Sequence, residues 1–255
     1  MLRRVLFSGG ILLIALGFAA LAAFRFFPIG RPPLGKGMAA ARLYLKKRNY
    51  AAAIKTCDIL AKAYPNNGEV YLLRGSANLR TGNFARSNAD FDRATQFKNT
   101  ALNAWLWKSF SCAFERKWAE QERAASKALE INPSAKDAYV LRAVARTQLK
   151  SFADAKADYA KALELKPADA GVMLKKAQLE FDSGDFNSSR DDALKALALD
   201  ATRPEAYALV GKLYLKAGDS VNARKYFELA VKKSNGSQKY AQLLKQAPTR
   251  KKNGK

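Results

Sequence analysis

The chain carries 45 lysines and arginines against 22 acidic residues over 255 positions, a formal charge of +23, with 49% apolar residues and no histidine. That apolar content is enough to bury a core and excludes general disorder. The missing histidine removes the usual neutral-pH general base, the commonest metal ligand and the histidine-containing hydrolase triads, so the chain reads as a non-enzyme without cofactor or metal. Cys57 and Cys112 are too few for a disulfide scaffold and form no close-spaced metal pair.

In chain order, the first element is an uncharged run from Val5 to Phe24, with Arg3 and Arg4 before it and Arg25 after it. A helix of that length rises about 30 Å and matches the hydrocarbon core of a bilayer. Residues 1–26 therefore read as a transmembrane anchor, touching the membrane through residues 5–24. A cleaved secretory signal competes with this reading, because Ala20-Leu21-Ala22 fits a small-x-small cleavage site. Basic residues flank the run on both sides, so the positive-inside count is nearly tied. The export-like character of the segment favours a bacterial inner-membrane protein with its bulk in the periplasm, and a cytosol-facing orientation stays open. Residues 27–37 hold three of the eight prolines and read as an irregular linker.

From Leu34 a period of 34 residues emerges. The fourth place holds a large residue in five of the six units (Tyr71, Trp105, Tyr139, Met173, Tyr207), the eighth a small one in all six (Ala41, Gly75, Ser109, Ala143, Ala177, Gly211) and the seventeenth an aromatic in five (Tyr50, Phe84, Trp118, Phe152, Phe186), with Ser220 in the sixth. Small residues fill most twentieth and twenty-seventh places, and Pro65, Pro133 and Pro167 close three units. Two antiparallel helices approach closely only where one offers a small side chain, so this alternation predicts helical hairpins. Gly82-Asn83, Gly184-Asp185 and Gly218-Asp219 mark turns inside the units.

On these residues the chain resembles the tetratricopeptide repeat family. The stretch from Tyr139 to Pro167, with Phe152, Ala155, Tyr159 and Ala162 in family positions, is very close to its pattern. The resemblance covers residues 34–237 as six units without insertion, and it implies an all-α, right-handed superhelical solenoid of helix-turn-helix repeats behind the transmembrane helix. Departures fall at Gly37 in an aromatic place, Gln121 in a small place, and Arg116-Lys117 in a turn usually built with glycine. They put the first leading helix and the shape of the third hairpin in question. Residues 238–247 read as a capping helix with Tyr240, Leu243 and Leu244 on one side, and residues 248–255 as a basic tail.

No phosphate loop, nucleophile elbow or metal-ligand spacing appears. The adjacent acids Asp191 and Asp192 read as a solvated helix face, and both cysteines as small buried hydrophobes. The family resemblance implies that the leading helices line a concave groove. Carried over, its ligand-facing places hold Leu72, Leu79, Leu106, Phe110, Phe114, Val140, Val144, Leu174 and Phe181, with Lys212 and Lys216 at one end. Such an apolar strip suits a partner helix or an extended peptide with hydrophobic anchors. Packing between hairpins is the plain alternative for some of these residues. The basic carboxylate clamp of the family's chaperone-binding members is absent, because Leu72, Leu73, Leu106, Trp107, Val140 and Leu141 stand in its places. The expectation is a membrane-anchored scaffold or assembly factor that binds protein. No small-molecule substrate is expected, and nucleic acid is disfavoured because the repeats mix both charge signs.

Overall fold

The computed structural model describes residues 31–247. All regular structure among the described residues is helical, and the chain divides into two compact units at Thr100. Unit 1 holds α1 (Leu34–Lys46), α2 (Tyr50–Ala63), α3 (Gly68–Arg80) and α4 (Phe84–Thr95). Unit 2 holds α5 (Ala101–Phe114), α6 (Trp118–Ile131), α7 (Lys136–Gln148), α8 (Phe152–Leu165), α9 (Ala170–Ser183), α10 (Phe186–Leu199), α11 (Pro204–Lys216), α12 (Ser220–Lys233) and α13 (Gln238–Gln246). Within each unit consecutive helices pack on one another. The run Val5 to Phe24 lies outside the described residues, among which no helix is long and apolar enough to cross a membrane.

Each hairpin turn repeats one backbone device. Positive φ occurs at Arg48, Gly82, Arg116, Lys150, Gly184 and Gly218, every 34 residues. The residue after each sends its amide back five positions, as in Lys117 to the Cys112 carbonyl and Asp185 to the Glu180 carbonyl, at 2.9 and 2.8 Å. This is the hydrogen bond that ends a helix through a left-handed residue, for which glycine is the unstrained choice. Arg48, Arg116 and Lys150 adopt the same conformation without glycine, so the third hairpin closes like its neighbours. The next helix then starts on a side-chain cap at Asn49, Asn83, Asp185 and Asp219.

Packing follows a large-to-small exchange between paired helices. Gly75 faces Phe91 and Gly211 faces Phe227, and a Cβ added at either glycine would stand 2.6 Å from the ring. At Gly37 an added Cβ would meet the Leu60 side chain at 2.7 Å. Elsewhere the fourth place is large and the twenty-seventh is alanine, as in the Tyr139–Ala162 and Tyr207–Ala230 packing. In the first pair the sizes are swapped, which explains the glycine and lets α1 form. Gln121 also fits: it is fully buried, its backbone carbonyl accepts from Ser109 Oγ at 3.0 Å, and its amide Nε2 donates to the Leu141 carbonyl at 2.9 Å. Serines close the equivalent gaps in other pairs, Ser87 to the Gly75 carbonyl and Ser189 to the Ala177 carbonyl. In α13, Tyr240 is buried against Ala208 and Ala230, while Leu243 and Leu244 pack beside Ala223 and Phe227.

Candidate functional site

Buried carboxylates in both units form structural ties with basic side chains. In unit 1 the Arg74 guanidinium donates to Asp90 at 2.7 Å and to Asp58 at 2.8 Å, and Asn78 donates to Asp90. These groups and Arg86 line a cavity of about 380 Å³, whose carboxylates are already paired. The same tie recurs in unit 2 between Arg142 and Asp158 at 2.7 Å, with Arg146 adding a second contact to Asp158 at 2.9 Å. Lys176 completes the series with Asp192 and Glu180. Asp192 is thus buried and doubly paired, also with Lys195, which corrects its reading as part of a solvated acidic face. Its twin Asp191 is exposed.

Both cysteines are buried and free, and burial pushes the thiols up to about 12 at Cys57 and about 11 at Cys112. Thiols so far above neutral pH make poor nucleophiles. Among the described residues no three metal-ligating side chains come together.

Among the exposed apolar residues, which also include Leu43, Ile131, Leu199 and Val221, Phe110 and Phe114 share one face of α5. Its small residues Ala101, Ala104, Ser109 and Cys112 are buried, and Trp105 and Leu106 pack against Leu129 and Ala138. Phe110 and Phe114, one turn apart, are left 39% and 57% exposed. Their rings meet edge to face at 5.0 Å, and Trp107 meets Phe110 in the same manner at 5.9 Å. The aromatic contacts hold the exposed rings in a fixed arrangement, which lowers the ordering cost of binding.

The other expected groove residues divide. In unit 1, Leu72 is half-buried and Leu79 is buried, so Leu79 offers almost no surface and is corrected to a packing residue. In unit 2, Val140 and Val144 lean on the cluster of Ala143, Tyr159 and Val172. Leu174 and Phe181 lean on that of Ala177, Leu197 and Leu209. Each is half-buried, with its outer part accessible. Lys212 is half-buried and Lys216 exposed, the latter with its ammonium 5.8 Å from the Phe186 ring, which in turn contacts Phe181 at 5.5 Å. Sequence reasoning assigned Phe186 to the packing pattern and missed that it is 39% exposed beside Lys216. Only the depth of its helix start could have shown this, and spacing carries no such signal.

The paired helices and their recurring turns define a helical-hairpin repeat protein. Tetratricopeptide repeat models match residues 38–101, 136–169 and 174–238, and the chain belongs to that family. No curated protein sequence matches it significantly. Among solved structures it resembles PilW, a widely conserved type IV pilus biogenesis factor, at 17% identity over 83% of this chain and 98% of that one, with a TM-score of 0.74. It also resembles PilF of Pseudomonas aeruginosa, at 14% identity over 82% and 95% of the two chains, with a TM-score of 0.69. A third is YrrB, a repeat protein with an unusual peptide-binding site, at 14% identity over 74% and 97%, with a TM-score of 0.59.

Proposed function

We propose that the chain is a membrane-anchored docking protein, an assembly factor or scaffold that binds a partner helix or extended peptide and performs no turnover. The observation that carries this reading is the pair of ordered, exposed rings Phe110 and Phe114 on α5. Isolated exposed apolar residues are ordinary, but two exposed rings in contact on one helix face, the inner one backed by the half-buried Trp107, form an anchor surface of the kind a partner's apolar side chains complete. The half-buried Val140, Val144, Leu174 and Phe181 extend apolar surface along the leading helices of unit 2, and Lys212 and Lys216 favour acidic residues at one end of the ligand.

The pair α5–α6 lies outside the matched family segments except at its first residue, Ala101. Its left-handed Arg116, in register with the other hairpin turns, supports counting it as a repeat and the chain as six. The uncharged run Val5 to Phe24 supports a single inner-membrane span with the repeats in the periplasm. Anchoring would confine a bound partner to two dimensions and raise its effective concentration. The fold likeness to PilW and PilF, and the peptide-binding site reported for YrrB, are in keeping with assembly by docking.

Cross-linked capture from membranes, comparing the wild-type chain with a Phe110→Glu, Phe114→Glu variant whose circular dichroism is unchanged, tests the proposal. Specific partners should disappear with the variant. Their persistence would remove α5 as the docking surface.

A further inference from the structure

Unit 1 gathers cations at the edge where the chain enters it. The carbonyl of Pro32, just before α1, accepts a 2.6 Å hydrogen bond from Tyr64 Oη at the end of α2. The next turn is tied to the end of α4: Arg93 donates to the Pro65 carbonyl at 3.3 Å and lies over the Tyr71 and Phe97 rings. The start of α1, the end of α2 and the end of α4 therefore meet at one edge. On it stand the exposed cations Arg31, Lys36, Lys62 and Lys98. Two carboxylates lie at the same helix ends, Glu69, which pairs with Arg42 at 3.0 Å, and Asp92 in the last turns of α4. The edge is net positive.

This edge is also the one closest along the chain to the uncharged run. From Phe24 to Pro32 the chain can span no more than about 28 Å even when fully extended. A bilayer holding Val5 to Phe24 would therefore have these cations within reach. We infer that this edge of unit 1 docks onto an anionic lipid surface, fixing how unit 1 stands on the membrane. The inference rests on the anchoring proposed above. Basic residues near an anionic leaflet gain from its surface potential, and that gain decays within a Debye length of about 8–10 Å, so only an edge brought close by the linker benefits.

The test uses the full chain reconstituted in nanodiscs of phosphatidylcholine alone, or of phosphatidylcholine with phosphatidylglycerol at two to one. Amine acylation read by mass spectrometry reports Lys36, Lys62 and Lys98 against Lys150, Lys161 and Lys195 of unit 2. Docking predicts that labelling of the first three falls about threefold or more in the anionic discs and recovers in high salt, while the second three stay constant. Equal labelling in both discs, or a uniform fall at all six lysines, overturns it. A chain that does not stay with either disc defeats the anchoring reading separately. In that case the same labelling is read against phosphatidylglycerol vesicles, where selective protection of Lys36, Lys62 and Lys98 supports the edge and its absence overturns it.

Discussion

Replacing Gly75 by alanine adds one methyl group in the middle of α3, where helix propensity alone favours alanine by about 0.5–1 kcal/mol. The structure predicts the opposite sign. The new Cβ would lie 2.6 Å from Phe91 Cε1, 2.9 Å from Cδ1 and 3.2 Å from Asp90 Cβ. Phe91 is fully buried, so its ring has no solvent side to retreat to, and Asp90 is held by Arg74. Overpacking of this kind costs about 1–3 kcal/mol, and with no room for the ring to move the cost lies towards the upper end, which leaves a net loss of up to about 2.5 kcal/mol after the propensity gain. Shortening the ring with Phe91→Leu should relieve the clash, so the double variant should be about 1 kcal/mol more stable than the two single losses imply. Urea denaturation followed by circular dichroism measures all four corners of the cycle. A stabilised Gly75→Ala variant, or strictly additive effects, would refute the account of glycine as the space for Phe91.

The left-handed turns predict a gain: Arg116→Gly and Lys150→Gly should each stabilise by about 0.5–1 kcal/mol, read as a higher urea midpoint, because glycine adopts positive φ without strain. Asp158→Ala should cost about 2–3 kcal/mol in the same assay, since it leaves Arg142 and Arg146 facing each other without their shared carboxylate. Asp185 is held at about 2, against an ordinary value of 3.8, first by Lys156 and then by the Ser188 side chain and amide. A depressed carboxylate stabilises the folded state above its unfolded value and loses that contribution as pH falls through its folded value. Acid titration of stability should accordingly show a smaller loss between the two values for Asp185→Asn than for the wild type. Cys57 and Cys112 should resist a thiol reagent at mildly alkaline pH and react fully once the chain is unfolded, an expectation that rapid labelling of the native protein would defeat.

Much of the fold is written in the spacing. Small and large residues recur at fixed places because each helix pair must solve the same packing problem, and the family resemblance follows from that regularity. The departures were harder to read. Gly37 looks like a lost aromatic until Leu60 is seen taking its volume, a compensation between residues twenty-three apart that a single unit does not display. Arg116 and Lys150 sit where glycine would be cheaper, and nothing in their identity announces a left-handed backbone. The site was legible only in part. Phe110 and Phe114 follow from helical spacing on an otherwise apolar helix, but Leu79 has the same position class and is buried. Position along a repeat sets the direction of a side chain; how far the neighbouring helix covers it depends on the sizes of residues on that neighbour. Asp192 shows the same limit, because its burial depends on Lys176 in the preceding helix.

The central claim is that a partner rests on the aromatic face of α5. A photo-reactive amino acid placed at residue 110 or 114, and as a control at residue 221, where Val221 of α12 is 60% exposed, tests it in intact membranes. A common cross-linked partner is expected from residues 110 and 114 and is expected to be missing from 221. Cross-linking to the same partner from 221 alone, or from all three positions equally, would contradict it.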